Sequence, residues 1–220
     1  MDTFISYASD IRRTAGRIKE YLDQFGFNCF LAHEDILPQT VWPDAILRAL
    51  KRCNLFLPLL TPGFIESFFC QQEIGFAYGR GVEILPVMIN KAPMGMIADM
   101  QAVRFNKNEF ESSCWKIVKH VAKKESLAES VVDALVTWFG ESHSYDIAAE
   151  RAKRILNEFD FAPHQVRDIR RHIKRNSQIH ETKEARDSIF KFIDRYNTYF
   201  NKTFKDWYDS KEASRRWMRY

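Results

Sequence analysis

The sequence predicts an α/β fold, a doubly wound sheet of five parallel strands, followed by a small all-α extension. Three observations carry this. The run Leu55-Phe-Leu-Pro-Leu-Leu60 is apolar at every position, as in a parallel strand covered on both faces. Short apolar runs alternate with amphipathic helical stretches as far as Lys124, the pattern of βαβ units and a parallel sheet. From Glu125 onward the apolar positions recur only at helical spacing. The chain is therefore read as two domains, residues 1–124 and 125–220.

Thr3 to Tyr7 is the first strand, and Ser9 or Asp10 can cap a helix with Ile11, Ala15, Ile18 and Leu22 on one face. Gly26 ends that helix in the left-handed conformation. Asn28 to Leu31 is the second strand, and a long loop runs from Ala32 to Trp42. Pro43 suits a first helical turn, and Ile46, Leu47 and Leu50 supply the buried stripe of that helix. Leu55–Leu60 is the third strand, although Pro58 is awkward in a central one. Val82 to Ile89 is the fourth, Ala102 to Phe105 the fifth, and Phe110 to Lys124 a closing helix. In the extension, Leu127, Val131, Leu135 and Trp138 form one stripe, and helices follow over 147–159, 163–175 and 182–200, with aromatic packing from Phe204, Trp207 and Trp217.

Composition narrows the classes. The 220 residues are 45% hydrophobic and 28% charged, a globular balance rather than a disordered one. No apolar run is long enough to span a membrane, and the acidic start Met1-Asp2-Thr3 has no basic leader region. Four isolated cysteines (Cys29, Cys53, Cys70, Cys114) read as reduced core thiols of a cytoplasmic protein. The six histidines make no zinc pattern, so no metal is expected. Charge is uneven: residues 1–150 balance at −4 and residues 151–220 at +8.

The most informative stretch is Ser67-Phe-Phe-Cys70-Gln-Gln-Glu73-Ile-Gly75-Phe-Ala-Tyr-Gly79. As a helix it turns Cys70, Ile74, Ala77 and Tyr78 toward the sheet. Phe69, Glu73 and Phe76 form a second side, with a partly desolvated carboxylate between two rings. In open parallel sheets, ligands bind outside the carboxyl ends of the strands. Tyr7 to Asp10, the 32–42 loop and the approach to the Glu73 helix all converge there.

Together these segments resemble the Toll/interleukin-1 receptor (TIR) domain over residues 2 to 122. Phe4-Ile-Ser-Tyr7 is similar to its first box, and Gly26-Phe27 through Pro38 and Trp42 to its second. Ser67-x-Phe69-Cys70-x-x-Glu73 resembles the helix that, in the bacterial NAD-cleaving branch, carries the glutamate that cleaves NAD. The helical extension matches no family. The chain departs from the family pattern in three places. Phe69 stands where Trp is usual, Gln39 follows Pro38 where Gly is usual, and the last box has no counterpart beyond Cys114-Trp115 nearby.

The resemblance implies a flavodoxin-like five-stranded sheet and an NAD+ glycohydrolase or ADP-ribosyl cyclase, with NAD+ as substrate and no cofactor. Glu73 would be catalytic, and Ser6, Tyr7, Ala8, Asp35, Trp42 and Phe69 would bind substrate. Several have a plainer reading: strand-end packing for Tyr7, a core aromatic for Phe69, a solvated loop acid for Asp35 and a lid on the core for Trp42. The resemblance further implies a homo-oligomer formed through TIR–TIR contacts, an upstream trigger or downstream effector, and a role in anti-phage signalling. The rival reading is a non-enzymatic scaffold that acts by assembly alone. Another rival rests on Arg167, Arg170, Arg171, Lys174 and Arg175, which share one helical face and could meet a nucleic acid or an acidic partner. Such a stripe is more often the solvated side of a bundle helix, and nucleic acid is not expected.

Overall fold

The computed structural model describes residues 1–32 and 42–216. Packing divides the chain into two units, Met1–Val131 and Val132–Tyr220. The division falls inside a helix, Glu125–Gly140.

In the first unit all strand pairs among the described residues are parallel. Strand β1 (Asp2–Ser6) lies between β2 (Asn28–Leu31) and β3 (Leu55–Leu60), in register Phe4↔Phe30 and Phe4↔Phe56. Next to β3 the expected fourth strand is split into β4 (Glu83–Ile84) and β5 (Val87–Met88), and β6 (Val103–Arg104) closes the far edge beside β5. A proline in β3 explains the split. Along a parallel strand, alternate residues direct both backbone groups to the same neighbour. Leu85 N–H donates to Phe56 C=O, and Ile89 N–H to Leu60 C=O, so residue 58 faces this same neighbour. Pro58 has no N–H to offer, and the facing ladder breaks at Leu85-Pro86. The missing Pro58 donor thus leaves the ladder one bond short between β4 and β5, while Pro86 turns its backbone to the other neighbour, its carbonyl accepting from the Val103 N–H at 2.9 Å.

Helices cover both faces. On one, α2 (Trp42–Arg52), the short α3 (Pro62–Glu66) and α4 (Phe68–Arg80) pack Ile46, Leu50, Phe64, Cys70, Ile74 and Ala77 onto Phe4, Phe56 and Leu60. Leu47, expected in the buried stripe of α2, is exposed. Elsewhere α1 (Arg12–Asp23) joins α5 (Phe110–Val121) through the Tyr21–Phe110 ring contact, and Phe25, just past α1, stacks edge-on against Trp115. A single 3-10 turn, Ser9–Ile11, precedes α1, and neither Ser9 nor Asp10 caps it with a side chain. Gly26 takes φ 75° as expected. The four cysteines are buried thiols outside any disulfide.

The second unit is helical: the rest of α6 (Glu125–Gly140), α7 (Tyr145–Leu156), α8 (Pro163–Arg175), α9 (Ser177–His180), α10 (Arg186–Arg195) and α11 (Lys202–Arg216). Its core is Val136, Phe139, Ile155, Val166, Ile169, Ile173, Ile189 and Phe192. Phe139, not Trp138, takes the buried position on α6; Trp138 instead lies under the Arg151 guanidinium, 4.2 Å from its ring centre. The helix expected over 182–200 begins only at Arg186 and gives way to a 3-10 turn at Asn197–Tyr199. Phe204 and Trp207 pack as expected, with ring centres 5.3 Å apart; Trp217 lies outside the described residues. Close approach explains Gly140: a methyl group there would lie 2.2 Å from His172 Nδ1. The Asn176 amide holds the end of α6 by donating to the Gly140 and Ser142 carbonyls at 3.0 and 2.7 Å. No helix of the described residues is long and apolar enough to cross a membrane.

Candidate functional site

Three local features deliver Glu73 to the carboxyl end of β1. Thr61 caps α3, its hydroxyl accepting from the Phe64 N–H at 3.1 Å. Ser67 caps α4 by accepting from the Cys70 N–H at 3.3 Å, satisfying a donor that has no partner within the helix. Gly81, at φ 69°, ends the same helix. Held between these caps, α4 lays Cys70, Ile74 and Ala77 on the sheet. Glu73 lies beside them and is only 6% exposed.

Ser6 ends β1 on the same face as Phe4, because side chains alternate along a strand. Its hydroxyl is fully buried and donates to Glu73 Oε2 at 2.5 Å. Burial pushes the Glu73 carboxyl up to about 7, against the Ser6 hydrogen bond, which pulls it down. Near neutral pH this side chain therefore divides between acid and carboxylate. Burial also raises the Cys70 thiol, with Ser67 opposing and the Glu73 charge reinforcing the shift. Cys70 is an inert neighbour of the carboxylate rather than a nucleophile.

Of the residues proposed from sequence, the structure brings Ser6 and Glu73 into direct contact. Tyr7 is 1% exposed and belongs to the core, and Ala8 is also buried. Phe69 is 53% exposed at the first turn of α4, while Phe76 is half-buried against the core. The carboxylate itself is buried where α4 meets the end of β1. Tyr78, expected on the sheet side, is exposed. Asp35 lies outside the described residues; Trp42 begins α2, but its side chain lies outside them too.

Beside this pair stands a brace that the sequence reading does not contain. Asp10 Oδ1 accepts from the Thr61 hydroxyl at 3.4 Å. A methyl group on Gly63 would stand 3.1–3.2 Å from the Asp10 carboxylate. Asp10 thus ties the exit of β1 to the start of α3 across a spot that favours glycine. The one signal is the Ser9-Asp10 pair, which in sequence reads as a helix cap. Gly63→Ala is expected to destabilise the chain by about 1–2 kcal/mol, measured by denaturant unfolding. In an Asp10→Ala background the same change is expected to cost much less, because the clashing group is gone.

A parallel sheet covered on both faces by helices defines the class as α/β. The chain belongs to the TIR domain family: the family model described as TIR domain matches residues 3–118. Among solved structures, the chain is similar to the TIR domain of the Toll-related receptor TRR-2 from the lower metazoan Hydra magnipapillata. Identity is 17%, the match covers 54% of this chain and 95% of that one, and the TM-score is 0.46. None of the curated proteins matches. TIR domains in general signal by assembling through TIR–TIR contacts, and the family includes both NAD-cleaving and non-enzymatic members.

Proposed function

We propose that the chain cleaves the bond between nicotinamide and ribose in NAD+, with Glu73 as the catalytic group. The observation that carries this is the desolvated Glu73 carboxyl, bonded to Ser6 at 2.5 Å and poised near neutrality. Among the described residues no cation pairs with it, and burying such an acid destabilises the fold, so its presence fits a functional role.

The chemistry needs one carboxylate. The C1′–N bond breaks with its electron pair leaving on the pyridinium nitrogen, so nicotinamide departs neutral and no acid need protonate it, unlike an ordinary glycoside. Positive charge grows on the ribose as the bond lengthens. An ionised Glu73 stabilises that charge, more strongly in a dry site than in water. Ser6 fixes the rotamer of Glu73 and donates to the carboxylate form, which opposes the burial effect enough to let it ionise. Water adding at C1′ with loss of a proton gives ADP-ribose; attack by the adenine of the same molecule gives a cyclic isomer. Exposed Phe69, at the first turn of the same helix, offers a face for nicotinamide to stack on.

Assembly through TIR–TIR contacts, the usual mode of the family, would complete the site, and depletion of NAD+ or a cyclic product would carry an anti-phage signal. The test is release of free nicotinamide from NAD+ by purified protein at high concentration, with Glu73→Gln alongside. Absence of release leaves assembly as the function. Release that Glu73→Gln does not reduce means another group does the chemistry.

A further inference from the structure

A groove of about 420 Å³ opens at the amino-terminal ends of β1 and β2, the end of the sheet away from Glu73. Its volume falls in the range of small-ligand sites, about 300–1,000 Å³. The apolar part is built by Phe30, half-buried with its ring 5.4 Å from that of Phe4, and by Ala45 and Ala49, four residues apart on α2. Two small side chains one turn apart leave a slot beside an aromatic ring, a shape that admits a flat group.

The rim is basic. Arg48 and Arg52 stand one helical turn apart on the same side of α2, and both are exposed. From the opposite lip comes Lys19, its ammonium fixed by donating to the Cys29 carbonyl at 2.5 Å and by the Asp23 carboxylate at 3.3 Å. Among the described residues that line the groove, one carries a carboxylate: Asp2, which accepts from the Asn28 amide at 2.6 Å and from Arg52 at 3.4 Å. Of these three cations, Lys19 is held by Asp23 and Arg52 by Asp2, while Arg48 stands exposed on the rim. Two guanidinium groups on one side of a helix can each fork onto the oxygens of a phosphate group.

We infer that this groove binds a nucleoside monophosphate, with the base against Phe30, Ala45 and Ala49 and the phosphate on Arg48 and Arg52. The ligand chemistry is a phosphate monoester on a flat heterocycle. Asp2 acts as the gate on affinity, because Arg52 must turn from it to the phosphate.

The experiment is titration calorimetry on the full chain with AMP, adenosine and inorganic phosphate as separate probes. AMP is expected to bind one per chain, at least about tenfold tighter than adenosine and than phosphate alone. Arg48→Glu, an exposed change that leaves the core untouched, and Ala45→Trp, which fills the slot, should each weaken AMP at least about tenfold. Asp2→Asn should tighten it several-fold, and Glu73→Gln should leave it unchanged. The inference is overturned if AMP shows no binding at millimolar concentration, if adenosine binds as well as AMP, or if Arg48→Glu has no effect. Binding that Glu73→Gln abolishes places AMP at the other end of the sheet and equally overturns it.

Discussion

Replacing Glu73 with Gln is expected to lower nicotinamide release from NAD+ by at least about 100-fold, the usual loss when a preorganised charge-stabilising group is removed. Glutamine keeps the shape and an oxygen for Ser6, whose hydroxyl sits 2.5 Å from the carboxylate. The packing of Cys70, Ile74 and Ala77 around it is unchanged. Only the negative charge disappears, so the loss reports on that charge and not on the fold. Substrate binding made by other groups survives, and the deficit should fall on kcat more than on KM. Quantifying nicotinamide under single-turnover and steady-state conditions separates the two.

The same substitution is expected to stabilise the folded chain at neutral and alkaline pH. Burial raises the Glu73 carboxyl from its ordinary 4.5 to about 7, so the folded state holds a proton that the unfolded state has released. Below pH 4.5 both states are protonated and nothing is lost. As pH climbs from 4.5 through 7, the wild type forfeits stability, up to roughly 3 kcal/mol once the buried group must ionise. The glutamine of the variant has no charge to bury. The stability difference between variant and wild type should therefore open across that window and level off above it. Urea unfolding at about pH 5, 7 and 8.5 measures it. A difference independent of pH would mean that the carboxyl titrates near its ordinary value and is well solvated. Gain of stability with loss of activity is the expected signature of a functional site.

Much of this architecture is legible in the residues because it rests on local rules. An unbroken apolar run announces β3, and Pro163 and Asn176 bracket α8 at 163–175 as the periodicity predicts. Glu73 is readable as a candidate from its spacing to Ser67 and Cys70, which sets both the helix cap and the helical face. What it touches is not readable, because Ser6 is 67 positions away and the two meet only through the parallel crossover.

The errors are likewise non-local. Helical phase alone cannot say how far around α4 the sheet reaches, so it puts Tyr78 inside and Glu73 at the margin, and the structure reverses them. Pro58 reads as a flaw in a strand, and in the structure its missing donor appears as the break in the facing ladder between β4 and β5. On α8, Arg170 reads as part of a basic stripe. Its guanidinium instead donates to the Tyr199 carbonyl at 3.0 Å and lies over Phe204, so it serves the packing of the helical unit. Arg171 pairs with Asp168. The stripe is therefore shorter in space than in sequence, as a long cation covering apolar surface often makes it.

The most direct measurement is the pH dependence of kcat/KM for nicotinamide release, taken at one protein concentration. Ionisation of Glu73 as the catalytic event predicts a rate that rises through an apparent pKa of about 7 and levels off above it. Residual activity of Glu73→Gln should lack that limb. A wild-type rate that is flat from about pH 5 to 9, or a limb that survives in Glu73→Gln, would contradict the assignment of the chemistry to this carboxylate.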